Sequence, residues 1–228
     1  MDFEIQGGNM PVVICKLQPG ESMFTESGGM SWMSGNMEMS TNMEGGLFGG
    51  LARKFAGESL FMTTYTCSNG YGTIAFASSF PGEILAFELQ PGQTLICQKK
   101  AFLAAERSIQ LEAYFKKNIG IGFFGGEGFI MQKVTGPGKV FLEIDGSVIN
   151  QTLQPGELMK IDPGHVAVMT PDISINITMV KGFKNVIFGG EGLFLSEVRG
   201  PGTIWLQTIP TQNLAKSLIP FLPLSKNN

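Results

Sequence analysis

Ile187-Phe188-Gly189-Gly190-Glu191-Gly192-Leu193-Phe194 restates a phrase that stands 64 residues earlier as Phe123-Phe124-Gly125-Gly126-Glu127-Gly128-Phe129-Ile130. A looser copy, opened by an insertion, runs from Leu47-Phe48-Gly49-Gly50 to Gly57-Glu58-Ser59-Leu60-Phe61. Self-similarity at a nearly constant spacing marks a chain assembled from equivalent units. A second phrase sets the frame: Leu17-Gln18-Pro19-Gly20-Glu21 returns as Leu89-Gln90-Pro91-Gly92-Gln93 and Leu153-Gln154-Pro155-Gly156-Glu157, at offsets of 72 and 64 residues. Each Pro-Gly pair suits a turn, with proline at the second position and glycine free to take positive φ at the third.

Twenty positions after each leading leucine an alternating segment opens, at Met37, Ile109 and Ile173. Met37-Met39-Thr41-Met43 interleaves with Glu38-Ser40-Asn42-Glu44, Ile109-Leu111-Ala113-Phe115 with Gln110-Glu112-Tyr114-Lys116, and Ile173-Ile175-Ile177-Met179 with Ser174-Asn176-Thr178-Val180. Period-2 alternation predicts strands with one apolar face. Gly136-Pro137-Gly138 and Gly200-Pro201-Gly202 punctuate the second and third units, and Asn69-Gly70-Tyr71-Gly72 fills that role in the first. Asp145-Gly146 reads as a tight hairpin between Val140–Ile144 and Ser147–Ile149. Each unit offers about six strand candidates at the rhythm of a sandwich or barrel. Only Leu51–Ala56 and Gln212–Leu218 look helical.

The expected fold is therefore all-β: three tandem jelly-roll or double-stranded β-helix-like units in a pseudo-threefold arrangement. Unit 1 covers 1–80 with a Gly-rich insertion at 45–57, unit 2 covers 81–147, unit 3 covers 148–211, and 212–228 is a tail. The ordered motif set resembles that of the altered-inheritance-of-mitochondria protein twenty-four family, through GGLFGG followed by GES in the first copy and the paired FGGEG…GPG phrases in the others. That resemblance spans about residues 10 to 210. It implies three jelly-roll-like units arranged like a covalent trimer, and kinship in shape with the tryptophan RNA-binding attenuation protein. It brings no catalytic or ligand residues, and kinship in shape does not license RNA binding.

Composition narrows the function. Charged residues are 15% of the 228-residue chain, against about a quarter in a typical domain, and 31 glycines suit many tight turns. A net charge of −3 lacks the basic footprint of a nucleic-acid binder, so no nucleic-acid partner is expected. Cys15, Cys67 and Cys97 are an odd number without metal-ligand spacing and read as small buried hydrophobes in a reducing compartment. With no basic region followed by an apolar run at the start, a cytoplasmic location is expected.

The candidate chemistry is sparse. His165 is the one histidine, and the same place in the other units holds Gly29 and Ala101, so a structural role outweighs an enzyme built around it. Gly120-Ile121-Gly122-Phe123-Phe124-Gly125 satisfies a dinucleotide fingerprint literally, but Gly136-Pro137-Gly138 leaves no room for the helix that would hold a pyrophosphate. Glu58, Glu127 and Glu191 follow glycine at the same point of each unit. If they converged they would repel one another or share a hard cation; the plainer reading gives each the backbone N–H groups of its own turn. No cofactor or metal is expected.

Glycine-rich apolar segments supply the functional lead. Leu47 and Phe48, Phe123 and Phe124, and Ile187 and Phe188 occupy equivalent places, with lysines or arginines nearby. Exposed, they would seek a protein partner or a membrane interface; folded back, they would close the ends of the sheets. The apolar tail 214–224 is expected to dock on its own body or on a second subunit, and the methionines of 30–43 read as core filler. The expected function is a non-enzymatic scaffold or binding protein that forms a homo-oligomer. Docking on a membrane surface through the glycine-aromatic segments is the alternative, and a ligand-binding enzyme around His165 comes third.

Overall fold

The computed structural model describes residues 1–26, 28–41, 62–117, 129–179, 194–218 and 221. These form nineteen strands and one α-helix. Strand β1 (Asp2–Gln6) precedes three sets of six. The first set is β2 (Val12–Leu17), β3 (Ser22–Glu26), β4 (Trp32–Met33), β5 (Met37–Thr41), β6 (Met62–Cys67) and β7 (Gly72–Ala77). The second is β8 (Gly82–Leu89), β9 (Thr94–Gln98), β10 (Phe102–Glu106), β11 (Gln110–Lys117), β12 (Phe129–Thr135) and β13 (Gly138–Asp145). The third is β14 (Val148–Leu153), β15 (Leu158–Ile161), β16 (Val166–Met169), β17 (Ser174–Met179), β18 (Phe194–Arg199) and β19 (Gly202–Gln207), followed by α1 (Thr211–Leu218).

Within each set the same antiparallel pairings occur. The first strand pairs with the sixth, and the sixth with the third. On the other side the second pairs with the fifth, and the fifth with the fourth. Each set is thus two three-stranded sheets. Two junctions then fuse neighbouring sets: β3 pairs with β10 and β9 with β16. Four sheets result, ordered β1-β2-β7-β4, β5-β6-β3-β10-β13-β8, β11-β12-β9-β16-β19-β14 and β15-β18-β17.

Burial follows from the junctions. Met23 packs in a cluster with Val13, Ile74 and Phe76 of the first set, while its neighbour Phe24 joins Leu89, Leu142 and Val168 of the second and third. A strand that feeds cores on both faces cannot alternate, and β10 and β16 accordingly read as continuous buried runs. By count from the marker turns, Lys160 of β15 holds the place of Phe24 and Ile96. Those two are 1% exposed, whereas the Lys160 side chain is 59% exposed. Among the described residues β15 pairs only with β18 and β4 only with β7. An edge strand stays soluble by carrying charge, and lysine is the residue expected there.

The marker turns have the predicted geometry. Gly20, Gly92 and Gly156 sit at φ of +85°, +78° and +81°. Each turn closes with a backbone bond from residue 21, 93 or 157 to the carbonyl of 18, 90 or 154. The same Glu or Gln side chain then accepts the N–H of Gln18, Gln90 or Gln154, at 2.7, 2.9 and 2.8 Å. That bond satisfies a donor the strand end would otherwise leave open.

Three readings need correction. Asp145-Gly146 does not close a hairpin: β13 pairs with β8 and β10, and β14 pairs with β19, so this turn carries the chain from one set to the next. Met37 is buried but Met39 is 59% exposed, so the covered face of β5 ends after its first residue. A register shift between Ala113 and Phe115 breaks the alternation of β11 and turns Ala113 to solvent, whereas Ile175 and Ile177 of β17, and Ile173 just before it, keep theirs. The segment Leu51–Ala56 lies outside the described residues, and Gln212–Leu218 falls in α1.

An alanine at Gly92 meets no atom within 4 Å and suffers only left-handed backbone strain, so Gly92→Ala is expected to cost about 1–2 kcal/mol. At Gly82 an added methyl would overlap the Ile144 carbonyl in the β8–β13 pair, so Gly82→Ala should cost at least twice as much. Urea midpoints of the two variants test this; equal losses would contradict the assigned contacts.

Candidate polar cavity at one pole

Strand direction sorts the connections onto two poles. In the second set β9 ends at Gln98, which pairs opposite Met131 near the start of β12. The chain then turns through a 3-10 turn, Lys99–Ala101, into β10, whose start lies opposite Leu142 near the end of β13. Asp145 at that end faces Gly82, where β8 begins. Lys117 and Phe129, the described ends that bracket residues 118–128, pair at the same pole. The first and third sets do likewise, through Glu26 opposite Met62 and Met179 opposite Phe194. The junctions are antiparallel with Phe24 opposite Ala105 and Cys97 opposite Val168, so the three poles coincide. The marker turns occupy the other pole.

An open cavity of about 590 Å³ lies at the first pole. Its walls come from all three sets: Thr25 and Glu26 at the end of β3 with Gly28, Gly29 and Ser31 beyond it, Gln98 to Leu103 around the 3-10 turn, Glu143 and Asp145 at the end of β13, Gln207 at the end of β19, and Thr211 and Gln212 at the start of α1. Buried glutamines tie the second and third sets together here. Gln98 Nε2 donates to the Val166 carbonyl at 2.5 Å, and Gln207 Nε2 to the Gly164 carbonyl at 2.7 Å. Gln207 Oε1 accepts the Asp145 N–H at 3.2 Å. Thr25 Oγ1 donates to the Leu103 carbonyl across the first junction. Buried polar groups persist where they find such partners.

Glu143 is held by the link between the first two sets. Ser78 Oγ donates to Glu143 Oε2 at 2.9 Å and the Ser79 N–H at 2.7 Å, while Ser79 Oγ reaches both carboxylate oxygens at 3.0 Å. Burial pushes this carboxyl above its ordinary value, outweighing the donated bonds. Asp145 Oδ2 accepts the Thr211 N–H at 2.8 Å and the Thr211 hydroxyl as well, fastening the first turn of α1, where a negative charge suits the helix dipole. Among the described residues Gln212 Oε1, shielded from solvent, has no hydrogen-bond partner.

His165 ends a second 3-10 turn, Pro163–His165, whose Gly164 N–H is capped by Asp162. Its Nδ1 lies 2.7 Å from the Gln207 carbonyl, which can only accept, so Nδ1 carries the hydrogen. Backbone thus holds this face of the ring. All three cysteines are buried and free, and burial pushes Cys15 and Cys97 up to about 12, far from a reactive thiolate. Leu47, Phe48, Phe123, Phe124, Ile187 and Phe188, and the carboxylates Glu58, Glu127 and Glu191, lie outside the described residues. Among the described residues no three His, Cys, Asp or Glu are grouped to hold a metal, and no helix is long and apolar enough to cross a membrane.

Sequence reading missed the cavity. Its signal was present as Gln98 at the end of the apolar run Leu95-Ile96-Cys97 and as Gln207 after Ile204-Trp205-Leu206. A polar side chain on a buried strand asks for a partner, but nothing in the linear pattern says which backbone supplies it.

Fold and site together define an all-β protein of three linked pairs of sheets, with a polar cavity where the three meet. The chain belongs to the AIM24 family, described as mitochondrial biogenesis AIM24, whose model matches residues 3–209. It is 33% identical over 225 residues to an uncharacterized protein of Streptococcus pyogenes serotype M6, covering 95% of this chain and 89% of that one. It is also similar to a crystal structure of a Streptococcus pyogenes protein solved as a structural genomics target, at 32% identity and a TM-score of 0.76, covering 97% of this chain and 99% of that one.

The raised Glu143 value has a definite sign. The folded carboxyl holds its proton more tightly than the unfolded one, so its contribution to stability is full below about 4.5 and is lost as pH rises through the raised value. Glu143→Gln removes that loss. The stability of the variant relative to wild type should therefore improve from acid towards neutral pH in urea unfolding; a pH-independent difference would refute the assignment.

Proposed function

We propose that this protein is a non-enzymatic binding scaffold whose working surface is the pole that carries the polar cavity, and that its copies self-associate. The observation that carries this reading is the convergence at one pole: the cavity draws on all three sets, and the strand ends that bracket the glycine-rich segments open there as well. Two junctions of identical kind support an arrangement of the three sets about a pseudo-threefold axis.

Self-association is favoured by the sheet edges. Trp32 on β4 is 51% exposed, Ile149 on β14 45% and Leu158 on β15 40%, and each stands on a strand with one unpaired flank among the described strands. Apolar side chains on open edges are where a second chain adds. Light scattering across a concentration series tests this directly. A mass rising above the 24.6 kDa of one chain is expected, and Trp32→Lys should lower it; a mass of 24.6 kDa at every concentration would contradict self-association. Rising mass seen only with anionic liposomes would instead favour membrane docking.

A further inference from the structure

The first strand of each set has one flank on the sixth strand and one flank turned outward, and the three sets treat the outward flank differently. On β2 it is covered, because β1 adds to it antiparallel, with Asp2 opposite Lys16 and Gln6 opposite Val12. On β8 it carries charge, as exposed Glu83 and Glu88, an ordinary way of keeping an edge from adding strands. β14 has neither device. Its six residues, Val148-Ile149-Asn150-Gln151-Thr152-Leu153, include no charge, proline or glycine, and among the described residues it pairs only with β19. Ile149 to Thr152 are all exposed, Ile149 at 45%.

The ladder fixes which backbone groups face outward. The Thr208 N–H donates to the Ser147 carbonyl, while the Val148 N–H turns away from β19 and donates to Glu83 Oε1 at 3.0 Å. Antiparallel pairs alternate, so Asn150 and Thr152 turn their N–H and C=O groups outward while Ile149 and Gln151 spend theirs on β19. With Val148 engaged by Glu83, the open stretch is centred on Gln151. A strand that fits it is β14 itself, rotated about a two-fold axis at that residue. Asn150 then meets Thr152 of the second copy and exchanges a pair of backbone hydrogen bonds with it, and Ile149 meets Leu153 of the second copy on the face of the third core. An antiparallel edge with no charge to repel its own image is self-complementary, as an isologous contact requires.

We propose that two copies of this chain join through β14, antiparallel about a two-fold axis at Gln151, so that the six-stranded sheet β11-β12-β9-β16-β19-β14 runs on into its counterpart. The proposal rests on the reading that copies self-associate and adds the edge, the register and the symmetry. A six-residue edge is a small interface, so a concentration-dependent dimer is expected.

The test is a pair of single substitutions in the full chain, read by non-reducing electrophoresis after mild oxidation. Gln151→Cys should form a disulfide between copies, because facing residues of a non-hydrogen-bonded pair stand about 4.5 Å apart at Cα, within reach of a disulfide. Asn150→Cys, which faces Thr152 of the second copy, should give at least about tenfold less. Cys15, Cys67 and Cys97 are buried and do not compete. Gln151→Lys sets two like charges face to face and should raise the dimer dissociation constant at least about tenfold in light scattering, without moving the urea midpoint of the dilute chain. Equal disulfide yields, or association that Gln151→Lys leaves unchanged, would overturn this interface and leave the reading of self-association standing. A mass of 24.6 kDa at every concentration would remove both.

Discussion

Burial of one strand on both of its faces is the constraint on which this structure depends. At β3 and β10, and again at β9 and β16, adjacent residues on a single strand face different cores. Met23 cannot leave the first core without disturbing Phe24 in the next, and Ile96 and Cys97 stand in the same relation in the second junction. Fully burying an aromatic such as Phe24 or Phe141 is worth roughly 1.5–3 kcal/mol. The larger consequence is connection: three sets of strands that could have been separate domains are joined by two strand pairings. The place where the equivalent of a third junction would fall is marked by sequence, with Lys160 exposed on β15 where the inner junctions bury Phe24 and Ile96.

The same sharing produces the candidate site. Because the junction strands are antiparallel, the connections that follow β3 and β9 arrive at one pole together with the ends of β13 and β19 and the start of α1. Backbone groups from three sets must then be satisfied in a small space. Glutamine and serine side chains do this: Gln98, Gln207, Ser78 and Ser79 are spent on carbonyls and on Glu143. Exposed Lys100 stands on the same cavity wall.

Much of this architecture was legible in the sequence, for identifiable reasons. The all-β class follows from turn chemistry and period-2 segments, and the Pro-Gly turns have the positive φ their glycines announced. Ile173, Ile175 and Ile177 alternate because β17 has one covered face. The misreadings share one physical origin, since local pattern specifies a strand but not its partner. Asp145-Gly146 has hairpin chemistry, yet β13 and β14 pair elsewhere, and Met39 looks like core only if β5 is assumed to be covered. The cavity was illegible because it is assembled from long-range pairings: Glu143 lies 64 residues from Ser79, and Asp145 66 from Thr211. The glycine-aromatic segments, the strongest local signal in the sequence, lie outside the described residues.

If shared strands make one body, the three sets must unfold together. Differential scanning calorimetry measures this most directly, by comparing the calorimetric enthalpy with the van't Hoff enthalpy of the transition. Under conditions where the chain is monomeric, the account predicts one transition with equal enthalpies. Two or three separable transitions, or a calorimetric enthalpy well above the van't Hoff value, would show that the sets melt independently and would contradict the central role given to the junctions.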